Sequence, residues 1–161
     1  MDWKPPSEEA LELFQKAYDL QMKGKLEEAV EHYQKSIELY PTPEAHTFLG
    51  WTYSFQGKHD DAILECKKAI ELDPDYGNPY NDIGAYLIEK GRLDDAIPWL
   101  QKATQAKRYE SYCYPYYNLG RVYEQKGNWA RAFESYQNAV KENADYTLAE
   151  RAINRLKALF N

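Results

Sequence analysis

The sequence predicts an all-α solenoid: four pairs of antiparallel helices followed by one final helix. A Gly–Ala–small motif recurs as Gly24–Ala29–Ser36, Gly57–Ala62–Ala69, Gly91–Ala96–Ala103 and Gly127–Ala132–Ala139. Its alanines lie 33, 34 and 36 residues apart, and self-similarity at a period near 34 is typical of helical repeat arrays. On both sides of each glycine, apolar residues recur at the helical spacings of three and four.

The second repeat shows how each helix pair is specified. Residues 44–56 carry an apolar stripe, and Gly57 then suits the left-handed conformation that ends a helix. Asp60 and Asp61 suit the positive N-terminal end of the second helix. Pro74 closes that helix, because the residue before a proline is disfavoured in α geometry. The same interpretation predicts a single domain over residues 1–161, with repeats at residues 10–42, 43–76, 77–112 and 113–146 and a capping helix at residues 147–160.

Small residues are predicted where the two helices of a pair cross. They are Ala17, Gly50, Gly84 and Gly120 on the first helices, and Ala29, Ala62, Ala96 and Ala132 on the second helices. Close crossing requires small side chains, since bulky ones hold the helix axes apart. These positions are therefore packing positions, and binding specificity must lie in the residues that differ between copies.

Two strings carry a resemblance to a known family. FLGWTYSFQGKHDDAILECKKAIELDP and YNLGRVYEQKGNWARAFESYQNAV resemble the tetratricopeptide repeat (TPR) family, and the resemblance extends over about residues 10–144 in four copies. It implies a right-handed superhelix whose concave groove is lined by the first helix of each pair. It also implies protein binding as the activity.

Three features depart from the repeat pattern. Lys16 occupies a position that is apolar in the other copies, and Pro98 lies inside a predicted helix, where it removes a hydrogen bond. The tract RYESYCYPYY at residues 108–117 lengthens the third connection by two residues. This tract is either a lip over the groove or a longer connection whose tyrosines cover a gap.

Composition argues against several kinds of partner and location. The net charge of −6 argues against nucleic acid as the main partner, because phosphate binding draws on clusters of Lys and Arg. No apolar run approaches the roughly 20 residues of a membrane-spanning helix. The first residues also lack the pattern of a secretory signal. We therefore expect a cytoplasmic protein without membrane insertion.

No catalytic, metal or cofactor site is predicted. His32, His46 and His59 are scattered and form no pair at ligand spacing. Cys66 and Cys113 are too few for a disulfide framework, and the glycines form no phosphate-binding loop. We expect a protein that is not an enzyme and that needs no cofactor.

The candidate binding site consists of side chains on the groove side of the first helices and the capping helix. Tyr, Trp, Phe and Arg are the residue types that most often anchor protein interfaces. We predict that a peptide or helix of a partner protein contacts Phe14, Tyr18, Trp51, Phe55, Asn78, Asn81, Tyr114, Tyr117, Asn118, Arg121, Arg151 and Arg155. The asparagines would hydrogen-bond its backbone, and the arginines would contact an acidic group.

Chaperone-binding TPR proteins, by contrast, hold a C-terminal carboxylate with Lys, Asn and Arg side chains. The equivalent sites are Phe14, Tyr18, Phe48, Asn78 and Asp82 in one alignment, and Thr47, Trp51, Asp82, Tyr114 and Asn118 in the other. Neither set contains a cation. We therefore do not expect this chain to bind a carboxylate in that way.

Self-association is the alternative function. Residues 1–76 contain 8 Lys and Arg against 16 Asp and Glu, a net charge of −8. Residues 77–161 contain 12 against 10, a net charge of +2. This asymmetry would steer a charged partner or favour head-to-tail association of copies. Solvated helix faces alone would produce the same asymmetry.

Overall fold

A computed structural model describes residues 4–161, which form nine α-helices and no β-strand. The helices are α1 (Glu8–Met22), α2 (Leu26–Leu39), α3 (Pro43–Phe55), α4 (His59–Leu72), α5 (Asn78–Glu89), α6 (Leu93–Gln105), α7 (Cys113–Gln125), α8 (Trp129–Glu142) and α9 (Thr147–Phe160). The prediction of an all-α helical repeat fold is confirmed.

Two compact units, Met1–Pro74 and Asp75–Asn161, divide the chain. The first unit contains the pairs α1–α2 and α3–α4. The second unit contains the pairs α5–α6 and α7–α8, followed by α9. That residues 1–161 behave as a single domain stays a prediction.

A glycine in the left-handed region ends the first helix of every pair. The four residues, with φ between 73° and 75°, are Gly24, Gly57, Gly91 and Gly127. A residue with a Cβ is strained in this region. After α3, the Gly57 amide donates to the Ser54 carbonyl and the Lys58 amide donates to the Tyr53 carbonyl, both at 3.0 Å. These bonds satisfy carbonyls that the last helical turn leaves unpaired.

The helices of a pair cross at the small residues. On the second helices, the fully buried residues at the crossings are Ala29, Ala62, Ala96 and Ala132. On the first helices, a Cβ added to Gly84 would overlap the side chain of Leu100, and one added to Gly120 would overlap the ring of Tyr136. The bulky residue of one helix thus occupies the space that the missing side chain of the other leaves.

A buried polar contact joins α3 to α4 in the first unit. His46 Nδ1 lies 2.6 Å from Glu65 Oε2, and Lys68 Nζ donates to Glu65 Oε1 at 2.7 Å. Burial alone would raise the pKa of Glu65, but the hydrogen bonds from His46 and Lys68 outweigh it and hold the pKa below its ordinary value. The carboxylate therefore holds the two helices together in its charged form.

The tyrosine-rich tract is tied to the segment that precedes α5. The Gly77 amide donates to the Arg108 carbonyl at 3.0 Å, and the Arg108 amide donates to the Asp75 carbonyl at 2.9 Å. A Cβ on Gly77 would overlap the side chain of Tyr109, so that side chain packs directly against the backbone. These contacts favour the structural interpretation, in which the tract is a longer connection held against the second unit.

Candidate functional site

In the first unit, the predicted aromatic residues lie on one connected surface. Ring centroids are 5.4 Å apart for Phe14 and Phe48, 5.8 Å for Tyr18 and Phe48, 5.8 Å for Phe48 and Trp51, and 5.2 Å for Trp51 and Phe55. We call these five residues of α1 and α3 the aromatic face. The edge-to-face and tilted arrangements are those that aromatic pairs prefer. The structure thus brings the four predicted residues together through Phe48.

Phe48 is not among the predicted contact residues, because the sequence interpretation placed it in the apolar stripe of α3. It does pack against the buried cluster that contains Tyr33 and Leu49, but its ring is also the centre of the aromatic face. Its spacing could have revealed this second role, because Phe48, Trp51 and Phe55 follow one another at i, i+3 and i+7. Residues at these spacings lie on the same side of a helix.

An apolar pocket lies at one end of the aromatic face. Its volume is about 370 Å³, and it is lined by Pro6, Ala10, Leu11, Phe14, Ser36, Tyr40, Thr42, Glu44 and Phe48. The Leu11 side chain is 54% exposed, and that of Phe55, at the other end of the face, is 55% exposed. Large apolar side chains are therefore exposed at both ends of this surface, and the rings between them are half-buried.

In the second unit, the predicted polar residues bond to one another. The amide of Asn118 donates to Asn81 Oδ1 at 3.0 Å, and both side chains are buried. Arg121 donates to Asn118 Oδ1 at 3.2 Å and to Glu89 Oε1 at 3.2 Å. Asn81, Asn118 and Arg121 thus form a continuous polar row along α5 and α7. Asn78, the first residue of α5, is half-buried.

Asp82 lies beside this polar row. Burial raises the pKa of its carboxyl to about 7, and the hydrogen bond from the amide of Asn81 opposes that rise only weakly. A carboxyl in this position supplies no positive charge to a bound carboxylate. This agrees with the expectation that the chain lacks the carboxylate-binding arrangement.

Tyr114 and Tyr117 form an aromatic cluster with Tyr146, which precedes α9. Ring centroids of Tyr146 lie 5.4 Å from those of both other tyrosines. Burial, followed by the neighbouring tyrosines, raises the pKa of Tyr146. The sequence interpretation missed Tyr146, because it lies in a connection outside the repeated stripes. Tyr114 is the exposed member of this cluster.

The two predicted arginines of α9 have different environments. Arg155 Nη2 donates to both carboxylate oxygens of Glu124, at 2.8 and 2.7 Å, and the hydroxyl of Tyr136 donates to the same carboxylate at 2.6 Å. Arg155 therefore docks α9 against the preceding pair. Arg151 is exposed, and it is the better placed of the two for contact with a ligand.

A second apolar groove, between α8 and α9, was absent from the predicted site. It has a volume of about 510 Å³ and is lined by Trp129, Ala130, Phe133, Glu134, Gln137, Leu156, Lys157, Phe160 and Asn161. The rings of Trp129 and Phe160 lie 5.6 Å apart, and these residues are 42% and 62% exposed. Sequence spacing could not reveal this groove, because α8 and α9 each contribute only one side of it.

Residues 4–161 contain no group of three or more His, Cys, Asp and Glu side chains that could hold a metal ion. Over the same residues, no helix combines the length and apolar character needed to span a bilayer. Cys66 and Cys113 are free and buried, and burial raises the pKa of the Cys113 thiol.

Comparison with known families decides the kind of protein. Three family models, each described as a tetratricopeptide repeat, match residues 43–76, residues 10–43 and 113–146, and residues 65–97. The chain belongs to the tetratricopeptide repeat family. The matches to residues 10–43, 43–76 and 113–146 each cover one helix pair. Together the matches confirm the family that the two repeat strings indicated.

Other TPR proteins are similar over parts of their length. The small glutamine-rich tetratricopeptide repeat-containing protein 2 of Mycosarcoma maydis is 36% identical over 78 residues, which cover 48% of this chain and 22% of that protein. The chain spans 12% to 22% of the length of the first three curated relatives that it matches. Their complete activities therefore involve much more protein than this chain contains.

Solved structures share the fold. A structure of PilF from Pseudomonas aeruginosa has a TM-score of 0.87 at 24% identity, covering 95% of this chain and 69% of that chain. YrrB, described as a TPR protein with an unusual peptide-binding site, has a TM-score of 0.72 at 22% identity, covering 89% of this chain and 73% of that chain. At these identities, the likeness establishes the fold alone.

Proposed function

We propose that this TPR protein is a non-enzymatic adaptor that binds a peptide or helix of a partner protein. Binding would occur on the surface of its first helices, which are expected to line the concave groove. TPR repeats generally mediate protein–protein interaction. The observation that carries the proposal is the aromatic face of the first unit, with the apolar pocket at one end.

The aromatic face has the properties of an interaction surface. Exposed apolar surface that is continuous, unlike apolar side chains scattered singly, usually marks a partner site on a protein. Aromatic rings bury a large area and lose few rotatable bonds on binding. Phe48 is anchored in the core cluster, so the face is already ordered before a partner arrives. Such preorganisation lowers the entropic cost of association.

Two truncations at the ends of this surface test the proposal. Leu11→Ala/Phe55→Ala removes two side chains that are each more than half exposed, so we expect little change in stability. We expect the variant to lose proteins that the wild-type chain captures from its native lysate, with at least about a tenfold drop in affinity for a purified partner. Affinity capture with quantitative mass spectrometry and titration calorimetry provide the measurements.

A matched double variant on α4 controls for the loss of exposed apolar surface. Leu64 and Leu72 are 53% and 47% exposed and lie outside the aromatic face. Leu64→Ala/Leu72→Ala is expected to retain the wild-type set of captured proteins. Identical capture by the wild type and both double variants would contradict binding on the aromatic face.

Self-association is a second candidate, favoured by the apolar groove between α8 and α9. The groove has exposed aromatics beside one acidic and one basic residue, Glu134 and Lys157, so a second copy would meet complementary charges. We expect Trp129→Ala/Phe160→Ala to abolish any rise in apparent mass with concentration, while Leu72→Ala preserves it. Light scattering over a concentration series measures this mass. A wild-type chain that stays monomeric at all concentrations and salt levels would rule out this candidate.

A further inference from the structure

The aromatic face of the first unit is shaped for a helix. Phe48, Trp51 and Phe55 extend along about 10 Å of α3, or two helical turns. A partner helix presents side chains at i, i+3, i+4 and i+7 on one side, and these spacings span a similar length. Rings of α1 flank those of α3 at Phe14 and Tyr18. The aromatic face is thus a long, narrow apolar surface with a pocket at one end.

Two polar side chains of α3 near the aromatic face, those of Thr47 and Ser54, are already hydrogen-bonded within their own helix. The Thr47 hydroxyl donates to the Pro43 carbonyl at 2.7 Å, and the Ser54 hydroxyl donates to the Trp51 carbonyl at 2.6 Å. An extended peptide exposes backbone N–H and C=O groups that need partners on the surface that binds it. A helix satisfies these groups internally. The aromatic face therefore favours a helical ligand over an extended one.

The net charge of the first unit determines which charge the polar side of a partner helix should carry. Residues 1–74 contain 8 lysines and no arginine against 15 Asp and Glu, a net charge of −7. Glu44 lines the pocket beside Phe14 and Phe48. Residues 75–161 contain all six arginines and carry a net charge of +1. A cationic ligand is thus attracted to the first unit, whereas an anionic one is repelled by it.

We propose that the aromatic face binds a basic amphipathic helix of a partner protein, with its apolar side on Phe48, Trp51 and Phe55 and a lysine or arginine beside Glu44. This inference rests on the proposed adaptor function and names the chemistry of its partner. The apolar contact supplies most of the affinity, since it is buried on binding. The charges select basic helices over acidic helices of the same shape.

Three synthetic peptides of about 18 residues, or five helical turns, test this proposal on the full chain. They share one apolar stripe and differ only in having Lys, Gln or Glu on the polar side. We expect the Lys peptide to bind at least about tenfold more tightly than the Glu peptide at low salt, with the difference shrinking at high salt as charges are screened. Fluorescence anisotropy measures each affinity.

Two charge-reversal variants test whether the preference for the Lys peptide depends on Glu44. Glu44→Lys is expected to weaken binding of the Lys peptide about fivefold to tenfold and to leave the Gln peptide nearly unchanged. Glu71→Lys makes the same change in net charge on α4, away from the face, and is expected to weaken the Lys peptide less. Trp51→Ala/Phe55→Ala is expected to weaken the Lys and Gln peptides alike, because it removes apolar contact.

Several results would overturn the inference. They are equal binding of the Lys and Glu peptides at low salt, equal effects of Glu44→Lys and Glu71→Lys, and unchanged Lys-peptide affinity in Trp51→Ala/Phe55→Ala. The adaptor function has its own readout, since Leu11→Ala/Phe55→Ala tests capture of natural proteins whatever their charge. Capture that depends on the face, without preference for the Lys peptide, would reject only the present inference.

Discussion

Replacing Gly120 with valine is expected to lower the free energy of unfolding by about 3 kcal/mol or more. The added Cβ would overlap the ring of Tyr136. Helices α7 and α8 cannot separate to relieve this overlap without exposing Ala132, which is fully buried at their crossing. Valine also restricts its own side chain in a helix. Urea unfolding followed by circular dichroism measures the loss.

Two further variants define the cause of that loss. Gly120→Ala should cost less, about 1 kcal/mol, because the smaller overlap is partly offset by the helix propensity of alanine. The pair α1–α2 shows that this position accepts alanine, since Ala17 of α1 is equivalent to Gly120 and lies in the buried cluster with Tyr33. Ala158→Val, on an exposed part of α9, should change stability by no more than about 0.5 kcal/mol. Wild-type stability in Gly120→Val would contradict the steric explanation.

Replacing Glu65 with alanine is expected to lower the free energy of unfolding by about 3 kcal/mol at pH 7. The change leaves the buried ring nitrogen of His46 without the carboxylate that now lies 2.6 Å from it. It also removes the acceptor of Lys68. Breaking a buried polar pair costs more than losing an exposed one, because the remaining group stays away from water. Urea unfolding over a range of pH values measures the effect.

The difference in the free energy of unfolding between wild type and Glu65→Ala should depend on pH in a defined direction. Because the folded-state pKa of Glu65 is lowered, its contribution is present above the unfolded pKa of about 4.3. That contribution is lost as the pH falls through the folded-state pKa. The gap between wild type and Glu65→Ala should therefore shrink below about pH 4. Glu71→Ala, an exposed change on the same helix, is the control, and a gap that stays constant down to pH 3 would argue against the ionic role of Glu65.

The candidate site could be predicted in part. Trp51 and Phe55 were recognised as groove residues, although Phe55 also belongs to the apolar stripe of α3. Phe48 was left out of the predicted contacts, since a residue that serves both the core and the surface has the spacing of a core residue. Its ring joins α1 to α3, and that contact is a property of two helices packed together.

The polar candidates illustrate a different limit. Asn81 and Asn118 were chosen as free hydrogen-bonding groups, yet each bonds to the other across 37 positions of the chain. Arg155 was chosen as a free cation, yet it holds Glu124, 31 positions earlier. Amide and guanidinium groups satisfy each other as readily as they satisfy a ligand. Their residue types alone cannot distinguish the two uses.

The sequence by itself determined the helix pairs, their glycine ends and their small crossing residues. Each of these depends on local backbone geometry or on a steric requirement that every pair meets again, so it leaves a repeated pattern. Only the tertiary structure decided which of the varying side chains remain accessible. That outcome depends on distant partners such as Glu124 and Arg155, whose pairing no repeated pattern records. The tertiary structure therefore divides most of the predicted residues between an aromatic face in the first unit and a mostly self-bonded polar row in the second, with Tyr114 and Arg151 exposed outside both.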